Sequence, residues 1–185
     1  MRNPRTISTT VTLSCLALAT TTAAGSTAPR VLRKEVVVRA PLAEVWHALT
    51  TVEGAKFSSS ESNIRLEIGG PYEWFLAGEA DEEGVRGSEG SRVLAFLPGE
   101  MLAFDWTFPP EIPSLRLSRA KTQCVILLDD LGDEGVRVRL AQHGWQEGDD
   151  WDAGWDYFDV GWGAVLDRLK ASLEGSASEG DEATG

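Results

Sequence analysis

Cysteine and histidine are nearly missing from this chain, each occurring only twice among 185 residues. Cys15 falls in a stretch that reads as a leader, which leaves Cys124 alone and excludes an intramolecular disulfide in the mature protein. The two histidines, His47 and His143, are far apart and have no second ligand at metal spacing, so a Cys/His zinc site lacks its usual donors. Basic residues are scarce too. The first 28 residues hold two arginines and no acid, so the remainder carries 15 basic against 29 acidic residues, a balance of −14. That balance disfavours nucleic acid and anionic membrane surfaces as partners. No stretch reaches the ~20 apolar residues that span a bilayer, so no transmembrane segment is expected and the mature protein should be soluble.

What is present begins with Arg2 and Arg5, a mostly apolar or small stretch at 7–19, and small residues at cleavage-like positions. This is the pattern of a signal peptide over residues 1–28. Its serine and threonine content also fits a transit peptide. The expected location is therefore secreted or periplasmic, with an organelle or the cytoplasm as the alternative if the N-terminus is not an export signal. Residues 29–175 have the length and apolar content of one domain with a sizeable core. The small, acidic residues 176–185 read as a disordered tail.

The most strongly patterned stretch is 149–175, DDWDAGWDYFDVGWGAVLDRLKASLEG. At about 100° per residue, Trp151, Trp155, Phe158, Trp162, Val165, Leu166, Leu169 and Leu173 fall on one face, which predicts a long amphipathic helix. Asp149, Asp150 and Asp152 suit its N-terminus, Arg168 and Lys170 its far end, and Gly175 a left-handed stop. Upstream, β-branched residues predict a strand at 31–39, and Pro41 followed by Leu42, Val45, Trp46 and Leu49 predicts a short helix stopped near Gly54. Alternation predicts strands through Ile64, Leu66 and Ile68, through Tyr72, Trp74 and Leu76, and at 92–97, 101–108, 122–128 and 136–142. Gly69-Gly70-Pro71 is a break, 78–90 a hairpin loop or short strand pair, and the proline-rich 109–120 a loop. Short turns favour antiparallel pairing, so the fold class is α+β.

Three stretches in this order, VVVRAPLAEVWHALTTVEG, IRLEIGGPYEWFL, and RVRLAQHGW followed by GWGAVLDRLKASLE, resemble the SRPBCC or START-like superfamily. Within it they are similar to relatives of the heat-shock protein 90 ATPase activator. The resemblance implies a helix-grip fold, a curved antiparallel sheet of about six or seven strands around the C-terminal helix, with a cavity between them. It carries no shared catalytic triad or metal motif. Carried over by position, it points to Tyr72, Trp74, His143, Trp155, Phe158 and Trp162, and the inward alternation adds Trp106.

His143, of the residue type most used for acid–base chemistry, is the candidate acid or base, with Glu73, Asp105 or Asp159 as partners; its plainer role is a ring satisfied by a backbone carbonyl. With Glu147, Asp149 and Asp150 it falls short of a metal site, so neither metal nor cofactor is expected. Cys124, in an alternating TQCVILL context, reads as a buried strand residue. Gly154, Gly161 and Gly163 each weaken the long helix by roughly 1 kcal/mol against alanine, and either close packing or room for a ligand would explain them. The expected function is an exported, non-enzymatic domain binding a hydrophobic or aromatic small molecule between sheet and helix. The alternatives are a cyclase- or dehydratase-type enzyme using His143, or a module with a protein partner like the heat-shock ATPase activator.

Overall fold

The structure, a computed structural model, describes residues 29–76 and 86–182, with side chains as far as Gly175. The expected leader at 1–28, most of the 78–90 loop and the last three residues lie outside the described residues.

Strand β1 (Leu32–Val38) leads through Pro41 into helix α1 (Leu42–Thr50), which buries Val45, Ala48 and Leu49. Pro41 occupies the capping position, one residue ahead of the expected one, a shift within the usual play of helix ends. A 3₁₀ turn at Gly54–Phe57 follows, and Gly54 is required there because a Cβ would lie 2.2 Å from the carbonyl oxygen of His47. Strands β2 (Glu61–Ile64) and β3 (Tyr72–Phe75) form a hairpin. The strand expected through Ile68 stops at Ile64, and Ile68 is 76% exposed. The chain turns tightly there, with Arg65 N–H donating to Pro71 O and Glu67 N–H to Arg65 O. Gly69 has φ +79°, which favours glycine.

Strands β4 (Val93–Leu97), β5 (Met101–Thr107), β6 (Lys121–Asp130) and β7 (Val136–His143) complete an antiparallel sheet in the order β1-β7-β6-β5-β4. One rung crosses all five strands through Leu32, Gln142, Cys124, Phe104 and Val93, every one of them buried. The β2–β3 hairpin continues this sheet beyond β4: Tyr72 N–H donates to Ser91 O and Val93 N–H to Gly70 O. Among the described residues, seven strands therefore form a five-stranded sheet and an attached pair.

Between β5 and β6 lies a correction to the sequence reading. The proline-rich stretch contains helix α2 (Pro113–Leu117), with Pro113 in its first turn and Leu115 buried. Ile112 is buried and lies alongside Gly154, so packing on the long helix imposes order where three prolines suggested a loop.

Helix α3 (Asp149–Glu182) lies along the inner face of the sheet. All eight residues assigned to its apolar face are buried or half-buried in the core. Their burial contributes roughly 12–24 kcal/mol gross, an upper figure because an unfolded chain already hides some of that surface. The helix does not stop at Gly175; its backbone continues to Glu182, into the stretch expected to be a disordered tail. Gly154 answers to close packing: a Cβ there would sit 2.6 Å from Cε1 of Phe108. Gly161 and Gly163 have nothing within 4 Å of such an atom.

Candidate functional site

The inner face of the sheet meets α3 through aromatic side chains. Tyr72 and Trp74 come from β3, Phe104 and Trp106 from β5, and Phe158 and Trp162 from α3, all of them buried. Ring centroids lie 4.4 Å apart for Tyr72 and Phe104, 5.4 Å for Trp74 and Trp106, and 5.3 Å for Trp106 and Trp162. At these spacings the rings pack against one another with no room for a ligand between them. Much of the space expected as a cavity is occupied by the protein itself.

Polar groups within this layer are few. Trp162 Nε1 donates to Gln142 Oε1 at 2.8 Å, and Gln142 Nε2 donates to Thr122 Oγ1 at 2.7 Å. Tyr72 donates its hydroxyl to Leu49 O at 2.8 Å. Burial, and secondarily the nearby Cys124, pushes the Tyr72 phenol far above its ordinary value. Burial also raises the Cys124 thiol, with Asp105 adding to the effect, so this cysteine stays protonated and unreactive. Trp74 differs from Trp162: its Nε1 is buried with no hydrogen-bond partner among the described residues.

Beside Trp74 a cleft of about 180 Å³ opens between the end of β3 and α3. Its inner wall is Trp74, Trp106, Phe158 and Trp162, and its outer wall follows Tyr157, Gly161, Ala164, Val165 and Arg168 along the helix. Leu76 and Tyr157 stand at the mouth, 51% and 40% exposed, so the Tyr72–Trp74–Leu76 alternation is buried only in its first two members. Gly161 keeps the cleft open because it presents no side chain. Burial, with a smaller contribution from Glu111, raises the Tyr157 phenol, which is therefore neutral at physiological pH.

Larger recesses lie elsewhere, and some of their charges are engaged within the protein. In one of about 630 Å³, Arg116 donates to Gly87 O and Phe108 O, and Lys121 pairs with Asp105 at 2.9 Å. In another of about 500 Å³, on the outer face of the sheet, Arg139 pairs with Asp129 at 2.9 Å. The aromatic cleft is the concave site whose walls are predominantly aromatic and apolar.

Of the expected site residues, Tyr72, Trp74, Trp106, Phe158 and Trp162 come together, the last four lining the cleft. Trp155 is separate. It packs on Trp145 at 5.2 Å, with Arg30 over its ring at 4.2 Å, near the start of α3. His143 is also separate: β7 buries Val136, Val138, Leu140 and Gln142, so the next residue points to the opposite face of the sheet, away from the cleft. Glu73, Asp105 and Asp159 are engaged with Asn63 and Gly90, with Arg92 and Lys121, and with Lys34 respectively. None of these bonds involves His143. No group of three or more His, Cys, Asp or Glu side chains is placed to hold a metal among the described residues.

The residue that sequence reasoning passed over is Gln142. A polar side chain in the inward phase of Val136, Val138 and Leu140 was its signal, and Thr122 gives the same signal on β6.

Comparison with known proteins points one way. Residues 39–174 match the family described as Activator of Hsp90 ATPase homolog 1-like protein. No curated protein matches the sequence significantly. A solved protein of Mesorhizobium loti superposes with a TM-score of 0.61 at 18% identity, covering 78% of this chain and 97% of its own. The Aha1 dimer structure from Colwellia psychrerythraea gives a TM-score of 0.54 at 20% identity, over 78% of this chain and 96% of that one. DynU16, from the dynemicin biosynthetic locus, gives 0.55 at 20% identity, over 78% of this chain and 47% of that one. At such identities these likenesses establish the fold alone.

Proposed function

Since the chain belongs to the family of Activator of Hsp90 ATPase homolog 1-like proteins, whose fold hosts more than one activity, we propose that it acts as an exported, non-enzymatic binding domain for a small aromatic or hydrophobic molecule. The observation that carries this reading is the cleft of about 180 Å³ whose inner wall is four aromatic rings. An apolar cavity of roughly 150 Å³ suffices for benzene, so the occupant is about one ring in size. A sterol or polyketide would not fit without displacing Trp106 or Trp162. The cyclase or dehydratase reading loses its acid and base, because His143 lies across the sheet from the cleft.

Native mass spectrometry of gently purified protein tests the proposal. The expected result is a discrete adduct of one-ring size that is lost on denaturation, or, if the protein is empty, a saturable change in tryptophan emission on adding one-ring aromatics. A clean mass together with no response to such a panel would refute it. Export is tested by N-terminal sequencing of the protein outside the cytoplasm, which should begin near residues 24–30.

The filled interior favours a second reading, a protein-interaction module. It predicts co-purification of the full chain with a heat-shock protein 90 from the producing cell. Recovery of the processed chain only outside the cytoplasm would exclude it.

A further inference from the structure

The walls of the aromatic cleft are unequal in hydrogen-bonding character. Trp74 has a buried Nε1–H with no acceptor among the described residues, and Arg168 brings a guanidinium to the outer wall. Both are donors only. Among the described lining residues the Tyr157 hydroxyl is the one side-chain acceptor, and the Trp162 N–H is already taken by Gln142. Arg168 also has no ion pair among the described residues. Its helix neighbours at three and four positions, Ala164, Val165, Ala171 and Ser172, include no carboxylate. By contrast Lys170, two residues on, is paired with Glu174 at 2.6 Å.

Resting on the reading of the cleft as a binding site, we infer that its ligand is a compact aromatic acid, with the ring against Trp74, Trp106 and Phe158 and the carboxylate toward Arg168. The cleft's volume limits the apolar part to about one ring. The arginine supplies the complementary charge at the rim, where a carboxylate keeps part of its hydration and loses little on binding. A neutral aromatic of the same shape would gain the ring contacts without the ionic one. A cation would meet a guanidinium and is disfavoured.

The test compares phenylacetate with phenylacetamide, near-isosteres that differ in charge, by tryptophan-emission titration of wild-type protein, Arg168→Gln and Gly161→Leu. In wild type at low salt, phenylacetate should bind about threefold more tightly than the amide, the size of preference a solvent-exposed ion pair supplies. Added salt should reduce that ratio. Arg168→Gln should bring the ratio to about one, and Gly161→Leu should abolish binding of both by filling the cleft. Equal wild-type affinities, or a preference for the acid that survives Arg168→Gln, would overturn the inference while leaving the cleft as a site. Binding unaffected by Gly161→Leu, or no binding of either probe, would overturn the cleft reading along with it.

Discussion

Gln142→Leu probes how α3 is held to the sheet. Gln142 is fully buried, accepting from Trp162 Nε1 at 2.8 Å and donating to Thr122 Oγ1 at 2.7 Å. Leucine keeps most of the volume but leaves the indole N–H of Trp162 buried without an acceptor, a loss of about 1–3 kcal/mol. Thr122 suffers less, because its hydroxyl still faces Trp106 O at 3.4 Å. The extra apolar surface of leucine offsets up to about 1 kcal/mol, so the expected net destabilisation is about 2 kcal/mol. That corresponds to a fall in Tm of roughly 4–8 °C for a domain of this size. Urea unfolding followed by circular dichroism gives the value directly, provided the slope m is unchanged. Trp162→Phe removes the donor instead, and in the double variant the two costs should be less than additive by about 1 kcal/mol. A Gln142→Leu protein within about 0.5 kcal/mol of wild type, or strict additivity, would refute the claim that this bond anchors the helix.

Gly163→Ala should stabilise the protein by about 0.5–1 kcal/mol, since its Cβ meets nothing within 4 Å, whereas Gly154→Ala should destabilise it by about 1–3 kcal/mol against the Phe108 ring; thermal melts in the reverse order would contradict the packing described. Trp106→Ala should cost about 3–5 kcal/mol and leave a cavity that added indole partly refills, raising Tm with ligand concentration; no response to indole would mean the layer collapses instead. His143→Ala should leave both melting and cleft titrations as in wild type, and a weakened titration would return His143 to the site. Glu174 has its carboxyl held below the ordinary value by the Lys170 ammonium and the Arg39 N–H. Its contribution is therefore present above the unfolded-state value and lost as pH falls through the lower folded-state one. The Tm advantage of wild type over Glu174→Gln should shrink on acidification, and an advantage independent of pH would argue against this clamp.

The regular elements were legible in the sequence because each carries a strong period. Alternation in Leu102, Phe104, Trp106 and Phe108 located β5, and the helical spacing from Trp151 to Leu173 located α3. Where tertiary packing competes with local propensity, the reading failed. Pro113 suggested a loop, yet burial of Ile112 and Leu115 yields a helical turn. Gly175 suggested a stop, yet the backbone of α3 continues to Glu182. The misplacement of His143 had a different source. The alternation that locates β7 also assigns residue 142 to the inside and residue 143 to the outside, so the chemistry of an imidazole was given more weight than the parity of its strand.

The same distinction governs function. A curved sheet holding a helix along its inner face creates an interior whose outline is set by the backbone, but whether a ligand enters depends on a few side chains. Here Trp74, Trp106 and Trp162, with centroids 5.3–6.3 Å apart, fill the middle of that interior, and Gly161 leaves its edge open. Smaller residues at those three positions would turn the same backbone into a container for a larger molecule, at a cost in stability from the cavities they leave. Large rings in their place give a stable core and leave a one-ring cleft with an arginine at its rim. The backbone of the fold therefore accounts for where the cleft lies, and the tryptophans of this chain account for its size.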